Sequence, residues 1–470
     1  MDNTLVIPEV IWDQLRKHLL KDQDEHLAFL LAGYAVVDGS YRLFAKELIP
    51  IDDTELEDGA GWHGLSLKLE TLLSVMNRAT KSKLTLIEAH SHPFSESSVN
   101  FSGIDLKGQQ EMFAYLQDIT PGKSYAALVL GQNAVHGLIW MPGRKKPSPM
   151  SRSKVVGEYL KVSPFPYYRR SIETSGSKEC LENGIYHRQI LAFGKEGQQK
   201  LRVTRVAIVG LGGLGSIVAQ ELAHLGVRDL ILIDDDRLES TNLHRVVGTT
   251  ARDVGRPKVD SAHRLIRGVN PQAKVKRLSV NVRSTDALEA LKEADVIFGC
   301  VDTDSGRLIL NELALAYLIP YIDCGVGIEV KEGTITEAGG RVVVWVPGRP
   351  CLLCAREFNP RIAAEELESS EEKEFRRRHG YVVGADIPEP AVISLNSTVA
   401  SIAVTEFLAL TTAFRPPSYY TYYDLLEERA GPRIVSHDSG CTACSVIGLG
   451  DLASIDRYSR QGLPNDLPKI

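Results

Sequence analysis

The chain has 470 residues, of which 43% are hydrophobic and 24% charged, ordinary values for a soluble protein of about two to four domains. Its formal net charge of −6 gives no reason to expect a nucleic-acid or anionic-membrane partner. No apolar run suggests a membrane span and the acidic N-terminus is unlike a signal peptide, so we expect a cytoplasmic protein.

Residues 1–148 alternate short strands with helices, which is typical of a self-contained α+β domain. The stretches HLAFLLAGYAVV and YRLFAKELIPI predict two strands joined by the turn DGS. SLKLETLLSVMNRATK predicts an amphipathic helix and KLTLIEAH a further strand. Pro, Ser and basic residues are frequent in 149–183, which we interpret as a linker.

In residues 184–448, strands such as RVAIVG, LILID and DVIFGCVD alternate with helices. This alternation predicts an α/β domain with a mainly parallel, Rossmann-like sheet and right-handed crossovers. Residues 449–470 are expected to form a poorly packed C-terminal tail.

A possible metal site occurs in the stretch HSHPFSESSVNFSGID. His90 and His92 share one face of the predicted strand if it continues through residue 92. With Asp105 they make a three-ligand zinc site with one open position. Zinc lowers the pKa of a bound water to about 7, and a nearby carboxylate then serves as general base. The alternative interpretation is a polar loop with an incidental His pair.

The full string HSHP followed by SGID resembles the His-x-His-Pro and Ser-x-x-Asp motif of the JAB/JAMM metalloproteases, over roughly residues 1–145. The resemblance implies a zinc peptidase or isopeptidase that cleaves at the C-terminus of a ubiquitin-like protein. It also implies that His90, His92 and Asp105 are the metal ligands and that the Ser102 hydroxyl donates to the oxyanion.

The same resemblance implies a catalytic glutamate from an earlier strand. Glu47 in LFAKELIPI is favoured over Glu88, because Glu88 lies in the His-bearing strand itself and would have to reach back past its neighbour. The chain departs from the family in one respect: nine residues separate His92 from Ser102, two more than the common spacing of seven.

A nucleotide-binding turn is predicted at residues 210–215, where GLGGLG follows a strand and begins a helix. Gly210, Gly212 and Gly215 fit G-x-G-x-x-G, and the helix N-terminus offers free N–H groups to phosphate. Asp234 lies 24 residues past Gly210, where an acid can hold a ribose hydroxyl. By itself this pattern does not separate NAD-binding from ATP-binding proteins.

The residues that follow favour ATP. Hydride transfer needs no cluster of charged residues, whereas adenylation of a carboxylate needs an acid for Mg²⁺ and cations for the leaving pyrophosphate. The chain supplies such a set after its predicted strands: Asp236, Asn242, Arg245, Lys258, Asp302 and Arg307.

These residues, with YHRQILAFGKEGQQKL upstream, resemble the MoeB/ThiF branch of the ubiquitin-activating superfamily, from about Tyr186 to Cys444. The resemblance implies an ATP site formed by Gly210, Gly212, Gly213, Gly215, Asp234, Asp236, Asn242, Arg245 and Lys258. It implies that Asp302 binds Mg²⁺ and that Arg188 reaches into the partner's site across a homodimer. The same resemblance assigns catalytic roles to Arg188, Arg245, Lys258 and Asp302.

Two CxxC pairs, in RPCLLCAR and SGCTACS, predict a closed, tetrahedral, structural zinc site. Its ligands would be Cys351, Cys354, Cys441 and Cys444, and the MoeB/ThiF-like family carries such a site in these positions. A redox CxxC is the alternative, but it needs one reactive thiolate and does not explain two pairs.

The two resemblances together predict a bifunctional enzyme. The first domain would trim a ubiquitin-like protein, and the second would adenylate the exposed C-terminal carboxylate for conjugation. No cysteine lies between Cys354 and Cys441. Cys180 lies in the linker, and Cys300 and Cys324 are interpreted as buried core residues, so a thioester is possible but not indicated. The acyl group would pass directly to an acceptor or to a separate conjugating enzyme.

One alternative function is activation of a sulfur-carrier protein for thiamine, molybdopterin or cysteine synthesis. Another is an N-terminal domain that only binds.

Overall fold

The computed structural model describes residues 2–57, 66–164, 167–168, 184–368 and 390–459. The chain forms two compact units. The first comprises Met1–Lys178, Ala316–Leu318 and Ile447–Ala453. The second comprises Glu179–Leu315, Ile319–Val446 and Ser454–Ile470.

The first unit is an α+β fold, as the sequence predicts. In chain order its elements are β1 (Thr4–Pro8), α1 (Glu9–Leu19), β2 (Leu27–Val37), β3 (Ser40–Pro50), α2 (Leu69–Ser82), β4 (Thr85–Ser91), α3 (Gly103–Ile119), β5 (Tyr125–Leu130), β6 (Ala134–Trp140), β7 (Ser148–Pro149), β8 (Arg152–Val156), β9 (Leu160–Pro164) and β10 (Tyr167–Tyr168). The described strands form one sheet in the order β10-β6-β5-β4-β2-β3-β1-β8-β9, with β7 paired to β6.

Apolar side chains alternate between the two faces of this sheet, so each face has its own core. The core that includes α1 contains Leu30 and Ile87. The core that includes α2 and α3 contains Leu31 and Leu86. The predicted turn between β2 and β3 is confirmed: Asp38 and Gly39 both have positive φ, 48° and 72°. Two such residues form the tight turn that matches strand twist in a hairpin.

Part of the segment interpreted as a linker, 149–183, belongs to this sheet. β8 pairs in parallel with β1 and antiparallel with β9, and Val156 and Leu160 are buried. Lysines and serines interrupt the apolar pattern here, so the sequence alone did not predict these strands. Residues 152–164 therefore lie in the sheet, while 165–166 and 169–183, including Cys180, fall outside the described residues.

A segment from late in the chain completes the first unit. The Gly33 N–H of β2 donates to the Gly448 carbonyl at 3.2 Å, and Tyr34 forms a β-bridge with Gly450. A Cβ at Gly33 would overlap the Gly448 carbonyl, so this approach needs a glycine. Leu449 and Leu452 pack against the core that contains Leu31.

The second unit confirms the predicted parallel α/β architecture. Its elements are α4 (His187–Val203), β11 (Arg205–Val209), α5 (Gly213–Leu225), β12 (Asp229–Ile233), α6 (Lys258–Val269), β13 (Lys274–Leu278), α7 (Thr285–Lys292), β14 (Val296–Gly299), α8 (Asp304–Ala316), β15 (Tyr321–Lys331), β16 (Thr334–Trp345), α9 (Pro360–Leu367), α10 (Ile393–Thr412), β17 (Tyr420–Asp424) and β18 (Arg429–Pro432). The sheet order is β13-β12-β11-β14-β15-β16-β17-β18.

Pairing in this sheet changes from parallel to antiparallel at β15. The strands from β13 to β15 in the sheet order are parallel to one another. From β15 onwards the pairs β15–β16, β16–β17 and β17–β18 are antiparallel. In a parallel sheet the carboxyl ends of the strands share one edge, which is where such folds bind ligands.

Among the described residues, one helix, α10, is long and apolar enough to cross a membrane, and 56% of its most apolar stretch is buried in the fold. A core helix of a soluble protein passes the same test.

The predicted tail begins later than expected. Ile455 and Tyr458 are buried, and the Tyr458 hydroxyl donates to Glu312 at 2.7 Å. The segment up to residue 459 is therefore packed, and residues 460–470 lie outside the described residues.

Candidate functional site

The glycine turn between β11 and α5 has the geometry of a phosphate site. Gly210 has φ +84°, and a Cβ there would meet the Cys300 carbonyl at 2.5 Å. A Cβ at Gly215 would overlap the Gly210 carbonyl. At Gly212, the residue before α5, a Cβ would meet nothing within 4 Å, so space is open where the N–H groups of the helix start are free. Gly210 and Gly215 thus allow close packing, and Gly212 allows a ligand to approach.

Asp234 directly follows β12 and lies beneath the glycine turn, where it contacts the turn backbone. It is 8% exposed, and its carboxylate accepts from the backbone N–H of Leu211 at 2.5 Å and of Asp236 at 2.8 Å. Burial raises the pKa of Asp234, although the charge of Lys258 and the two hydrogen bonds oppose that shift.

Lys258, the first residue of α6, is also brought to this edge of the sheet. Its Nζ donates to Asp236 Oδ2 at 2.6 Å, and its side chain is only 12% exposed. The pair stands beside Asp234, as the sequence predicts, and offers one cation and one carboxylate to a nucleotide.

Asn242 and Arg245 lie after β12 and are partly used by the local fold. Asn242 Oδ1 accepts from the Glu239 N–H at 3.0 Å, and Arg245 Nη1 donates to the Thr241 carbonyl at 3.3 Å. Arg245 Cδ lies 3.5 Å from where a Cβ on Gly213 would be, so its side chain covers the glycine turn.

Sequence reasoning missed Asn396 of α10. Its amide nitrogen occupies the space where a Cβ on Gly213 would lie, it is 2% exposed, and its Oδ1 accepts no hydrogen bond from the described residues. A buried amide oxygen that has no partner among the described residues, in a side chain beside the turn, is positioned to contact a ligand. The asparagine within the largely apolar helix that begins ISLNSTVASIAV is the signal that could have identified it.

Asp302 follows β14 and is exposed. It lines a cavity together with Arg307, whose Nη2 donates to the Val301 carbonyl at 3.0 Å. Asp302 therefore lies at the same carboxyl edge of the sheet as the glycine turn, and within the described part of the chain its exposed carboxylate forms no ion pair.

Arg188 is remote from the glycine turn of its own chain. It lies in the first turn of α4 and is exposed, and its neighbour Gln189 donates to the His224 carbonyl near the end of α5. The start of α5 at Gly213 is about 18 Å away along the helix. Arg188 therefore does not join the site that its own chain builds.

The four cysteines predicted to bind zinc lie together. Neighbouring sulfurs are 3.5–3.8 Å apart, which fits the edges of about 3.8 Å expected for a tetrahedron with Zn–S bonds of about 2.3 Å. Contacts with the sulfurs of Cys351 and Cys444 lower the pKa of Cys441, which favours the thiolate that a metal needs. The cluster could hold a structural zinc ion.

A second possible metal cluster lies in the first unit. His90 is in β4, His92 follows the strand directly, and Asp105 is in the first turn of α3. Asp105 Oδ2 is 3.6 Å from Nε2 of His90 and 3.6 Å from Nε2 of His92, and the three ligand atoms lie within 4.8 Å of one another.

The protonation states at this cluster suit a cation. Burial opposes ionisation of Asp105, but hydrogen bonds with His90 and with Ser102 hold the pKa of Asp105 well below its usual range. Burial and then the charge of His90 lower the pKa of His92. An ionised carboxylate beside a neutral imidazole is the state that metal binding requires.

Ser102 is close to the cluster but also caps α3. Its Oγ accepts from the Asp105 N–H at 3.1 Å, and its own N–H donates to Asp105 Oδ2 at 2.6 Å. This reciprocal capping box orients Asp105 towards the imidazoles. The long loop before it is anchored, because Val99 and Phe101 pack in a small apolar cluster and Gln132 N–H donates to the Ser95 carbonyl at 2.8 Å. The two additional residues therefore do not displace Asp105.

The prediction of Glu47 as the catalytic glutamate is wrong for this geometry. Glu47 pairs across β3 and β2 with Leu31, whereas His90 pairs with Leu27, four residues away along β2. That offset is about 13 Å along the strand, in addition to two strand spacings. Glu47 instead forms an ion pair with Arg78.

Glu25 is the acid that lies at the cluster, and sequence reasoning missed it. Its Oε1 is 3.6 Å from His92 Nε2. Burial and the charge of Asp105 raise the pKa of Glu25, although the charge of His90 opposes the shift. Glu88 lies behind His90, with Oε1 3.9 Å from His90 Nδ1, and accepts from the Tyr125 hydroxyl at 2.7 Å. Glu25 precedes β2 directly, and the β2–β4 pairing that brings it to the histidines is not visible in the sequence.

Comparison with known proteins supports the interpretation of the second unit. Residues 186–443, more than half of the chain, match the model of the ThiF family. The SAMP-activating enzyme E1 of Haloferax volcanii is 35% identical over 180 residues, which are 38% of this chain and 63% of that protein. The molybdopterin-synthase adenylyltransferase of Escherichia coli is 34% identical over 171 residues, 36% of this chain and 66% of that protein.

A sulfur carrier protein adenylyltransferase of Thermus thermophilus is 36% identical over 148 residues, 31% of this chain and 54% of that protein. Among solved structures, E. coli MccB with ATP aligns with a TM-score of 0.45 and 22% identity, over 56% of this chain and 74% of MccB. The chain thus spans less than two thirds of the length of these curated relatives. The family match itself includes the glycine turn, Asp234, Lys258, Asp302 and three of the four cysteines, and on this ground the chain belongs to the ThiF family.

Proposed function

We propose that the second unit adenylates the C-terminal carboxylate of a small carrier protein, with ATP and Mg²⁺ as co-substrates. The observation that carries the proposal is the common edge of β11, β12 and β14, where the open turn at Gly212, the Asp236–Lys258 pair and Asp302 are brought together. A turn with free N–H groups suits phosphates, and an exposed carboxylate beside it suits Mg²⁺.

The residues bind and align; none of them reacts covalently in this proposal. An oxygen of the carrier carboxylate attacks the α-phosphorus of ATP, a new P–O bond forms, and the bond to the β-phosphate breaks with its electron pair leaving on pyrophosphate. Arg245 and Lys258 stabilise the charge on the phosphates, and Asp234 receives the ribose. Most of the rate then comes from alignment and electrostatic stabilisation.

A sulfur-carrier protein is the substrate class that we favour, ahead of conjugation of a ubiquitin-like modifier. The relatives described above are, by name, activating enzymes for SAMP, molybdopterin synthase and sulfur carrier protein. The absence of a cysteine between Cys354 and Cys441 is consistent with transfer that needs no thioester there.

Dimerisation belongs to the same proposal. Arg188 is exposed and remote from the site of its own chain, so it would contribute to catalysis only in a second copy of the chain.

Isotope exchange between ATP and pyrophosphate tests the adenylation proposal. We expect candidate carrier proteins with a free C-terminal carboxylate to support exchange, because the acyl-adenylate forms reversibly. The same carriers with an amidated C-terminus should support none, since the attacking oxygen is removed. Equal exchange with both forms would contradict the proposal.

A second function, hydrolysis by a zinc site in the first unit, is supported by the cluster of His90, His92 and Asp105 with Glu25 beside it. A zinc ion held by these ligands would polarise a peptide carbonyl and lower the pKa of water. Glu25 would carry the proton from the water to the leaving nitrogen, and the Ser102 hydroxyl would donate to the developing oxyanion. The substrate that suits both units is a carrier protein with residues beyond its functional C-terminus.

Glu25→Gln should reduce cleavage of a C-terminally extended carrier by about a hundredfold or more, because the proton carrier is lost. Zinc content measured by mass spectrometry should not change, since Glu25 is not assigned as a ligand. His92→Ala should lose both the zinc and the cleavage, yet keep ATP–pyrophosphate exchange.

Glu47→Gln is the matched control and should cleave at the normal rate. If Glu47→Gln abolished cleavage and Glu25→Gln did not, the assignment of the proton carrier would be reversed. An unmodified chain that holds no zinc beyond the Cys351 cluster would remove the hydrolase proposal altogether and leave the first unit as a binding module.

A further inference from the structure

Two helices begin beside each other at the glycine turn of the second unit. α5 begins at Gly213 and α10 begins at Ile393. Asn396, in the first turn of α10, packs on Gly213, and further along the Ser401 hydroxyl donates to Glu221 Oε1 of α5 at 2.6 Å. Because these two contacts follow each other in the same sense along both helices, the helices run in the same direction and their N-termini lie together.

Both helix starts keep unpaired backbone donors. The residues that precede the helices, Gly212 and Val392, have no acceptor in their side chains and form no side-chain cap. Each helix therefore presents free N–H groups and the positive end of its dipole to the same space. Such a space attracts an anion, and two helix starts attract it more strongly than one.

The side chain of Asn396 lies in this space without a hydrogen-bonding partner. The residue is 2% exposed. Its Nδ2 occupies the space where a Cβ on Gly213 would lie, and Arg245 Cδ packs on the same glycine. Its Oδ1 is buried and unpartnered, and its Nδ2 donates no hydrogen bond within the described part of the chain. A buried amide without partners lowers stability in the empty protein, and a ligand that pairs with it removes that cost.

The neutral amide is the informative feature of this position. Beside two helix starts and the Arg245 side chain, a carboxylate would stabilise the empty fold more than an amide does. A carboxylate there would repel an anionic ligand, however, whereas the amide of Asn396 donates to one. Asn396 therefore suits a space that an anionic ligand fills.

The phosphate nearest to the ribose fits this space. In the proposed adenylation site the ribose lies at Asp234, whose carboxylate accepts from the Leu211 N–H at 2.5 Å. Gly213 is two residues beyond Leu211, which is at most about 7 Å of chain. The α-phosphate of ATP is joined to the ribose through a single oxygen, so it is the phosphate that lies over the start of α5.

We infer that Asn396 is a catalytic residue of the adenylation reaction, and that its Nδ2 donates to a non-bridging oxygen of the α-phosphate. The inference rests on the proposed adenylation and adds a residue to it. As the carrier carboxylate attacks, the α-phosphate oxygens carry developing charge, which the amide and the two helix starts stabilise. Asn396 Oδ1 accepts from Arg245, whose guanidinium otherwise donates to the Thr241 carbonyl at 3.3 Å.

Three ligands and two variants test the inference by isothermal titration calorimetry with the full chain. Asn396→Ala should weaken AMP binding about tenfold, because the donor is lost. Asn396→Asp should weaken it about a hundredfold, because a negative charge then faces the phosphate. Adenosine has no phosphate and should bind both variants as it binds the unmodified chain. ATP should lose as much affinity as AMP, since the contact is with the phosphate that both share.

Stability and turnover separate a catalytic role from a structural one. Without nucleotide, Asn396→Ala should keep the Tm of the unmodified chain, because its amide has no partner to lose. Its ATP–pyrophosphate exchange should nevertheless fall by about a hundredfold. Thr405→Ala, at an exposed position later in α10, is the control and should bind AMP and exchange normally.

Equal affinity of the unmodified chain and Asn396→Ala for AMP would overturn the inference. An equal loss of affinity for adenosine and AMP would also overturn it, since that pattern means a packing defect. If Asn396→Ala exchanges as fast as the unmodified chain, adenylation stands and Asn396 is not catalytic. If the variants weaken AMP alone but no carrier supports exchange by the unmodified chain, the phosphate contact stands and the adenylation proposal falls.

Discussion

Replacing Asp302 with alanine is expected to slow ATP–pyrophosphate exchange by about a hundredfold or more, the usual cost of removing one preorganised electrostatic contact from a transition state. Asp302 is exposed and follows β14, so the substitution would remove the proposed Mg²⁺ ligand without removing buried packing. The measurement is carrier-dependent exchange at saturating ATP, with Tm recorded for the same samples.

Asp286→Asn provides the matched control, since Asp286 is another exposed acid near the start of a helix in this unit. It should exchange at the normal rate. Normal exchange by Asp302→Ala would remove Asp302 from the Mg²⁺ site, and the proposed chemistry would then lack its metal ligand. Raising the Mg²⁺ concentration should restore part of the lost rate, which a purely structural defect would not show.

Loss of one cysteine from the four-sulfur cluster is expected to destabilise the second unit strongly. Cys444→Ser should lower the free energy of unfolding by about 4 kcal/mol, as loss of a structural metal does, and should lower Tm by roughly 10 °C. Zinc content should fall at the same time. The physical reason is that metal-binding free energy is folding free energy when the unfolded chain has no preformed site.

Cys300→Ala is the thiol control, because Cys300 lies outside the cluster, and it should keep the zinc. A strong chelator should reproduce the Cys444→Ser defect in the unmodified chain. If the chelator left Tm unchanged while zinc was removed, the cluster would not be a structural metal site.

The features that sequence reasoning predicted well are those whose chemistry is local. The glycine turn depends on residues within six consecutive positions, and the strand before it and the helix after it support the same interpretation. Each CxxC pair is also a local pattern, and the presence of two such pairs suggests that they bind one metal ion together. Asp234 and Lys258 were predictable because strand ends in a parallel sheet share one edge.

Glu25 and Glu47 show what sequence reasoning could not supply. Both are glutamates close to strands that neighbour the histidine strand, and their residue types do not distinguish them. Only the register of β2 against β4 decides which carboxylate reaches His92, and register depends on long-range pairing. Asn396 was missed for a related reason: an asparagine in an apolar helix is a local signal, but only the packing of α10 over the glycine turn shows that this residue faces the site.

The boundaries of the first unit were missed because of composition. Lysine and serine are common in linkers, but here they lie within β8 and β9, and Lys154 is itself buried in the fold. In the second unit, the short turns that bury Ile455 and Tyr458 have no periodicity that would indicate packing.

The inclusion of Ile447–Ala453 in the first unit has a consequence for the order in which the chain acquires its structure. A protein folds as it leaves the ribosome, and N-terminal units usually finish first. Here β2 gains its contacts with Gly448 and Gly450 only when these late residues are present. The core beside Leu31 likewise needs Leu449 and Leu452 to be complete. The first unit therefore reaches its final form only after residue 453 has been translated, and a fragment that ends at residue 178 would leave the ribosome with that core open.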